Sequence, residues 1–300
     1  MKNQNKYWVG VLCGLIAAFI WAAFPVMTRF GVARSNLDAW DMTFLRFIFS
    51  GLLLAPYLFY SSIKHKQKKI PIIGIVIMVV GLGAPYMLVI AQGLKFAPVE
   101  QFAAVTPASM IAFSLILSVI FLKNKILNNE YLGISIIIAG VILVGFFAFN
   151  GSSIYSYLLF LLGGVMWAMY TVASRYYCDS ALYATGLVSF FSMLFYSPIY
   201  FYLKGLDIFS IPIGVLLPQI IYQGFFVSIV ALYFYSKSVF LLGSTVGSVF
   251  AALVPALATI ISAISLNELP HISSVMGLLI ITVGMIITIV KWKSSTEIET

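Results

Sequence analysis

The chain has 300 residues, of which 62% are hydrophobic and 9% are charged, and its mean hydropathy is +1.07. A soluble domain carries about 25% charged residues to cover its surface, so the composition excludes an ordinary soluble fold, a disordered chain and a disulfide-rich scaffold. The net charge of +8 does not indicate nucleic-acid binding, because the basic residues lie in short gaps between apolar runs and form no solvated patch. The sequence therefore predicts a protein embedded in a lipid bilayer.

The apolar residues fall into continuous segments, each about as long as a helix that crosses a hydrocarbon core of about 30 Å. Backbone groups in lipid must bond internally, and continuous apolar runs favour helices over the alternating strands of a barrel. The first segment is longer than the apolar core of a signal peptide, about 7–15 residues, so we expect a retained helix. The predicted fold class is all-α, a polytopic membrane protein with ten transmembrane helices at residues 8–27, 44–60, 70–91, 101–122, 131–149, 155–174, 182–203, 213–235, 239–266 and 272–290.

Lysine and arginine are distributed unequally between the two sides of this predicted bundle. With the N-terminus inside, twelve of them lie in inner segments, and four lie in outer segments: Arg29, Arg34, Lys95 and Lys204. The strongest single determinant is the inner segment 64–69, which holds four lysines. Because cytoplasmic loops carry an excess of basic residues, we expect a multi-pass protein of the inner (plasma) membrane with both termini in the cytoplasm.

The two halves of the chain resemble each other at two places. Residues 15–30, LIAAFIWAAFPVMTRF, align with residues 161–176, LLGGVMWAMYTVASRY, and residues 121–143 align with residues 265–287. The offsets, 146 and 144 residues, are nearly equal. The pairs that carry the resemblance are Trp21 with Trp167, Arg29 with Arg175, Gly133 with Gly277, and Gly140 with Gly284.

This repeat predicts how the chain is organised. Residues 1–150 and residues 151–300 each hold five predicted helices. An odd number of helices forces the two halves into opposite orientations, which makes an inverted repeat. Inverted repeats let one fold open alternately to either side of the membrane around a site near the midplane, so the repeat predicts transport by alternating access.

Several motifs occur in a fixed order along the chain. The first helix ends in W-A-x-x-P-x-x-x-R, residues 21–29, and FLRFIFSGLLLAP follows at residues 44–56. GLKFAPVEQFAAVTP occupies residues 93–107, its counterpart in the second half lies at residues 222–257, and a glutamate–glycine pattern closes the chain at residues 266–287. Taken together, these motifs resemble the drug/metabolite transporter superfamily, and specifically its EamA-type bacterial members.

The resemblance implies a ten-helix inner-membrane carrier of small metabolites, with a central cavity between the halves. Two places depart from the family pattern. Asn124 stands where the first half usually carries glutamate, and the repeat matches it with Glu268, so an ion pair is missing there. Glu100 and Gln101 occupy positions that many relatives fill with small or other polar residues, and we expect them to mark a particular substrate class.

Ionisable residues inside membrane helices are costly and are therefore the first candidates for function. Glu100, at the outer start of the fourth helix, could attract a cationic or amine substrate, or bind a proton whose release is coupled to transport. The alternative is a salt bridge to Lys95 at the same membrane face.

Two other charged residues are expected to have structural roles. Arg46 is expected to snorkel or to pair with Asp38 or Asp41. Glu268 is expected to pair or cap at the outer junction of the last two helices.

Uncharged polar and aromatic residues are better candidates for a cavity lining, because ligand sites are mostly apolar with a few placed polar groups. Trp21 and Trp167 are related by the repeat and lie too deep in their helices to belong to an interfacial aromatic belt. The full set of predicted substrate-binding residues is Trp21, Tyr86, Gln92, Glu100, Gln101, Trp167, Tyr170, Gln219, Tyr222 and Gln223.

The function predicted from these features is secondary transport of a small organic metabolite, such as an amino acid or amine. A membrane-embedded enzyme is disfavoured because the sequence shows no paired helical aspartates, His-rich metal motif or Ser/His dyad, and no nucleotide-binding loop indicates an ATP-driven pump. The alternative is a membrane receptor or assembly factor without transport activity. No cofactor, metal or nucleic-acid partner is expected, proton coupling is left open, and the chain is expected to be a monomer or homodimer.

Overall fold

The computed structural model of the chain describes residues 2–64, 70–122, 128–151, 154–242 and 244–289. Predictions about Asn124, residues 65–69 and the C-terminal residues from 290 onward lie outside these ranges. Within them the chain is helical and no strand is present. In chain order the elements are α1 (Lys2–Arg34), α2 (Ala39–Lys64), α3 (Ile72–Leu82), α4 (Ala84–Phe96), α5 (Val99–Leu122), α6 (Asn128–Gly151), α7 (Ile154–Tyr177), α8 (Ala181–Lys204), a 3₁₀ turn (Asp207–Ser210), α9 (Ile213–Gln219), a π-helix (Ile220–Val230), α10 (Ala231–Leu242), α11 (Ser244–Leu266) and α12 (Ile272–Ile289).

The helices are those of a multi-pass membrane protein. In the described ranges, seven segments are long and apolar enough to cross a membrane: Lys6–Arg34, Ala39–Lys64, Ile72–Phe96, Val99–Phe121, Ile154–Tyr177, Ala181–Lys204 and Ile213–Ser238. Three shorter apolar helices coincide with the remaining predicted spans: Asn128–Val144, Ala252–Leu266 and Ser274–Thr288. The all-α membrane class is confirmed, and the count of ten spans stays a prediction.

Three predicted spans differ in detail from the structure. The third is interrupted at Gly83, between α3 and α4, and Pro85 lies in the first turn of α4, where the missing N–H has no helical partner to lose. The eighth contains 11 π-helical residues, Ile220–Val230, directly after α9, which carries Pro218. The ninth was predicted to begin at residue 239, but residues 239–242 belong to α10, because the apolar pattern continues across the boundary.

The packing of the helices follows a repeated scheme. α1 lies against α10 and α11, and α7 lies against α3, α4 and α5. In the predicted repeat, α7 is the counterpart of α1, α5 is the counterpart of α11, and the α3–α4 pair is the counterpart of the segment that ends in α10. The first helix of each half therefore packs on the third and fourth helices of the other half.

Helices α2 and α8 pack directly on each other and run in opposite directions. Lys204, at the end of α8, reaches Asp38 just before α2, with 2.8 Å between Nζ and Oδ2. Tyr183, near the start of α8, lies 3.2 Å from the Ser62 hydroxyl near the end of α2. The two ends of the molecule are named after these contacts: the Asp38 end, where α1 is followed by α2, and the Tyr183 end, where α7 is followed by α8.

Helices α6 and α12 cross at four glycines. Gly133 lies against Gly284, and Gly140 lies against Gly277, so the two helices are antiparallel. Small residues allow helix backbones to approach closely in lipid, where no hydrophobic force drives association. Because the sequence repeat matches Gly133 with Gly277 and Gly140 with Gly284, an exchange of the two halves turns one of these contacts into the other.

We predict that Gly284→Ala lowers the stability of the protein by about 1–3 kcal/mol, the usual cost of overpacking. A Cβ atom at this position would lie 2.9 Å from the Gly133 carbonyl oxygen and 3.0 Å from the Ile137 amide nitrogen, and backbone atoms cannot rotate away. Gly214→Ala is the control, because its Cβ would meet no atom within 4 Å. The measurement is thermal unfolding of both variants in detergent, and equal melting temperatures would contradict the prediction.

Candidate functional site

A cavity of about 690 Å³ lies between the two halves of the chain. Helices α1 to α5 of the first half contribute side chains to it, as do α7, α8, the π-helix, α10, α11 and α12 of the second half. Its lining is mostly apolar and aromatic, with a small number of hydroxyl and charged groups. This volume and composition are typical of small-molecule sites, which occupy about 300–1,000 Å³.

Four of the predicted substrate-binding residues line this cavity: Trp21, Tyr86, Trp167 and Tyr170. The ring of Trp21 on α1 lies 5.0 Å from that of Tyr235 on α10, and the ring of Trp167 on α7 lies 6.3 Å from that of Tyr86 on α4. Centroid separations of about 4.5–7 Å are typical of interacting aromatic pairs. The rings therefore hold each other in position and form walls against which an apolar or aromatic group can pack.

Three predicted residues, around the junction of α9 and the π-helix, contact α1 instead of the cavity. Gln219 Nε2 donates to the Met27 carbonyl and Gln223 Nε2 lies at the Thr28 hydroxyl, each at 3.0 Å. The Tyr222 hydroxyl donates to a backbone carbonyl of α1. These three bonds fasten the π-helix to α1, although both glutamine Oε1 atoms are buried without a hydrogen-bond partner in the described part of the chain.

Glu100 is buried near the junction of α11 and α12. Its carboxylate accepts a hydrogen bond from the His271 backbone N–H and lies near Arg29 and Glu268. Lys95 is exposed, and its ammonium lies over a neighbouring aromatic ring. The alternative prediction of a Glu100–Lys95 salt bridge is therefore wrong, because the Lys95 side chain is exposed while the Glu100 side chain is buried in the bundle.

The remaining two predicted residues also lie outside the cavity lining. Gln101 is buried in the first turn of α5, and Gln92 is partly buried on α4. Like Glu100 and the π-helix residues, they belong to segments that begin or end at the Asp38 end of the molecule.

Arg46 lines the cavity, and sequence reasoning did not select it as a binding residue. Its guanidinium carbon lies 4.9 Å from the ring centre of Phe24 and 5.6 Å from that of Phe47. Its Nη1 atom lies 3.8 Å from the Met87 sulfur, and its Nε atom is buried without a hydrogen-bond partner among the described residues. The guanidinium is thus held by aromatic rings and a thioether, and no carboxylate of the described residues pairs with it.

The aspartates that were predicted to pair with Arg46 are engaged elsewhere. Asp41 Oδ1 accepts a hydrogen bond from the Tyr200 hydroxyl at 2.7 Å, and Asp38 binds Lys204. Burial alone would raise the pKa of Asp38, but the bonds from Lys204 and from the Asp41 backbone outweigh burial and hold it below its ordinary value. The predicted pairing is wrong, because five residues turn a helix by about 500°, so Asp41 and Arg46 leave α2 on different sides.

Ion pairs close the molecule at the Asp38 end. Glu268 Oε1 lies 2.8 Å from Arg29 Nε and 3.7 Å from Arg34 Nη2, which confirms the predicted pairing of Glu268. Arg29 Nη1 also donates to the Leu94 carbonyl at 2.6 Å. These bonds tie α1 to the end of α4 and to the segment after α11, and none of the residues that form them lines the cavity.

The cavity reaches the surface at the Tyr183 end. Its lining there includes Arg175, Cys178 and Asp179, which follow one another where α7 ends, and both charged residues are exposed. Burial raises the pKa of the Cys178 thiol to about 11, and the neighbouring Asp179 carboxylate acts in the same direction. The central cavity is therefore open at the Tyr183 end and closed toward the Asp38 end, where a separate pocket of about 310 Å³ is lined by Asp41 and Lys204 among others.

A multi-pass helical protein with an internal cavity that opens at one end has the architecture of a membrane solute carrier. The sequence profile of the EamA-like transporter family matches residues 8–146 and, a second time, residues 154–290. The chain therefore belongs to the EamA-like transporter family, as its motifs had indicated.

Three relatives are named as transporters, and a solved structure shares the fold. An uncharacterized transporter from Clostridium kluyveri is 22% identical over 97% of this chain and 96% of its own length. The uncharacterized transporter YetK from Bacillus subtilis is 24% identical over 59% of this chain, and the chain spans only 56% of its length. An S-adenosylmethionine uptake transporter from Rickettsia felis is 26% identical over 65% of this chain and 62% of its length. A protein crystal structure at 20% identity covers 93% of this chain and 95% of its own, with a TM-score of 0.61, which shows a shared fold.

We predict that Cys178 reacts slowly with iodoacetamide at neutral pH and faster as the pH rises. Only the thiolate is nucleophilic, and a pKa raised to about 11 leaves very little thiolate at pH 7. The alkylation rate should increase about tenfold per pH unit between pH 7 and 10. The measurement is mass-spectrometric alkylation kinetics in a Cys13→Ser background.

Asp179→Asn should increase this rate at pH 8, because it removes a negative charge that disfavours the thiolate. A Cys13→Ser/Cys178→Ser double variant gives the background signal. A rate that already levels off near pH 9 would contradict the raised pKa.

Proposed function

We propose that this chain is a secondary transporter that moves a small organic metabolite across the plasma membrane by alternating access. The observation that carries the proposal is the cavity of about 690 Å³ between the two halves, which is open at the Tyr183 end and closed by ion pairs at the Asp38 end. A carrier that works by alternating access must have a state of this form, in which the site faces one side of the membrane only.

The proposal includes ten transmembrane helices in two inverted five-helix repeats, residues 1–150 and 151–300. The double match of the family profile supports it. Two aromatic contacts also support it, Trp21 with Tyr235 and Trp167 with Tyr86. In each, a tryptophan in the first helix of one half lies against a tyrosine in the third helix of the other half. The antiparallel glycine crossing of α6 and α12 is also what two oppositely oriented halves require.

The distribution of basic residues supports a cytoplasmic location for both termini and for the open mouth of the cavity. Arg175, at the mouth, is the repeat counterpart of Arg29, which binds Glu268 at the closed end. The repeat matches Glu268 with Asn124, which has no charge to offer Arg175. The open end therefore lacks the equivalent of one ion pair that closes the other end.

The proposed binding set begins with the four cavity residues, Trp21, Tyr86, Trp167 and Tyr170, which contact the solute in the inward-open state. Gln92, Glu100, Gln101, Gln219, Tyr222 and Gln223 are proposed to contact it when the Asp38 end opens, since they lie on segments that begin or end there. A relative named for S-adenosylmethionine uptake supports a metabolite with amino-acid character as the kind of solute.

We predict that Trp21→Ala and Trp167→Ala each reduce uptake by about tenfold, because both partly buried rings line the cavity and tryptophans are frequent hot spots of binding. The measurement is uptake or counterflow of radiolabelled amino acids, amines and nucleosides into proteoliposomes. Trp8→Ala is the control, because Trp8 is 66% exposed on α1 and does not line the cavity. Wild-type protein that moves none of these solutes, while eluting as a folded species, would argue for the receptor alternative.

We predict that Glu268→Gln favours opening at the Asp38 end, because it leaves Arg29 and Arg34 without a negative partner. The inward-open population should fall, so Cys178 at the mouth should be alkylated about threefold more slowly at pH 9, which corresponds to less than 1 kcal/mol.

Glu130→Gln is the matched control, since it removes the same charge in the first turn of α6, away from this cluster. An unchanged alkylation rate in Glu268→Gln would show that the ion pairs do not set the equilibrium between the two states.

A further inference from the structure

Arg46 is the one cationic side chain of the described cavity lining that does not lie at the mouth. The other charged lining residues, Arg175 and Asp179, stand at the Tyr183 end. Arg46 lies seven residues into α2 from Ala39, about 10 Å along the helix axis from the Asp38 end. It therefore lies at the inner, closed end of a cavity whose opposite end is open.

The surroundings of Arg46 leave most of its hydrogen-bonding capacity unused. A guanidinium has five N–H donors and cannot be deprotonated in proteins. On the described residues the guanidinium contacts two aromatic rings and one sulfur atom, Tyr86 lies close enough to interact with its charge, and the buried Nε has no hydrogen-bond partner. A charge inside a membrane helix is costly unless it is paired or hydrated. An anion that enters the cavity would therefore be stabilised by pairing with the Arg46 guanidinium.

The shape of the group selects the class of anion. The flat fork of a guanidinium matches the two oxygens of a carboxylate, which carries one negative charge. A phosphate monoester carries about −1.5 to −2 charges at pH 7, more than one guanidinium balances, and a simple amine would be repelled. The walls between Arg46 and the mouth include Trp21, Trp167 and Tyr170, which favour an apolar or aromatic body on the solute.

We propose that Arg46 binds the carboxylate of the transported solute, and that the substrate class is small organic monocarboxylates with an apolar or aromatic body. This inference rests on the proposed transport function and narrows its substrate class. The carboxylate enters at the Tyr183 end and reaches Arg46 at the closed end, where Phe24 and Phe47 hold the guanidinium in place. The aromatic pairs then enclose the body of the solute.

The test compares carboxylates with their neutral amides on the purified full-length protein. The probe pairs are 3-phenylpropionate with 3-phenylpropionamide, indole-3-acetate with indole-3-acetamide, and L-tryptophan with L-tryptophanamide, and phenyl phosphate tests the alternative anion. A ligand that binds the folded state raises the melting temperature. At least one carboxylate should raise it at concentrations at least tenfold below its amide, and phenyl phosphate should be weaker than that carboxylate.

Substitutions assign the effect to Arg46. Arg46→Gln should abolish the difference between carboxylate and amide, and Arg46→Lys, which keeps the charge but loses the fork, should retain part of it. Arg175→Gln is the matched control, because it removes a cation from the mouth of the same cavity, and it should keep the preference. Size-exclusion elution and the melting temperature without ligand show whether each variant is folded. If Arg46→Gln does not fold, Arg46→Lys provides the test in its place.

Three results would overturn the proposal: no carboxylate is preferred to its amide, phenyl phosphate binds best, or the carboxylate preference survives in Arg46→Gln. The transport function is tested separately by the proteoliposome panel. If neutral solutes or amines are moved while carboxylates are not, the substrate class is wrong and the transporter stands. If nothing is moved although the carboxylates bind at Arg46, the transport function is wrong and the binding site stands.

Discussion

The absence of water in the bilayer core is the constraint on which the rest of this structure depends. Backbone groups cannot be left unpaired there, so the described chain is helical throughout its apolar segments. Charged side chains are under the same constraint. Glu268 binds two arginines and Asp41 accepts a hydrogen bond from Tyr200, whereas Arg46 faces a cavity instead of a carboxylate. Buried charges in a membrane protein are usually paired, and Arg46, which is not paired with a carboxylate of the described residues, lies at the cavity.

The two ends of the cavity are built from different interactions. The Asp38 end is held by ion pairs among α1, α2, α8 and the segment after α11. Separated ions regain hydration, so such contacts can open at moderate cost when water reaches them, in contrast to a tightly packed apolar seam. The glycine crossing of α6 and α12 is a tightly packed apolar contact, with backbone against backbone. It is suited to staying closed while other helices move.

Departures from the proposed repeat are found near the cavity. The third helix of the first half is broken at Gly83, whereas its proposed counterpart contains a π-helix, Ile220–Val230. Gln219, just before this π-helix, and Gln223 within it form hydrogen bonds with α1. π-helical turns are uncommon and are often found at functional sites. Two halves with the same contacts around Trp21 and Trp167 therefore enclose a site that is not itself symmetric, as a solute without twofold symmetry requires.

The sequence by itself determined the membrane class, the apolar character of the helices, the family and four residues of the cavity lining. These follow from composition, hydropathy and residue spacing, which are properties of the chain alone. Tertiary structure decided which charges meet. Glu100 lies near Arg29 and not at Lys95, and Asp38 binds Lys204 and not Arg46, because partners far apart in sequence are brought together only by helix packing. The spacing of Asp41 and Arg46 alone indicates that their side chains leave α2 on different sides. The cavity that Arg46 faces exists only in the packed bundle.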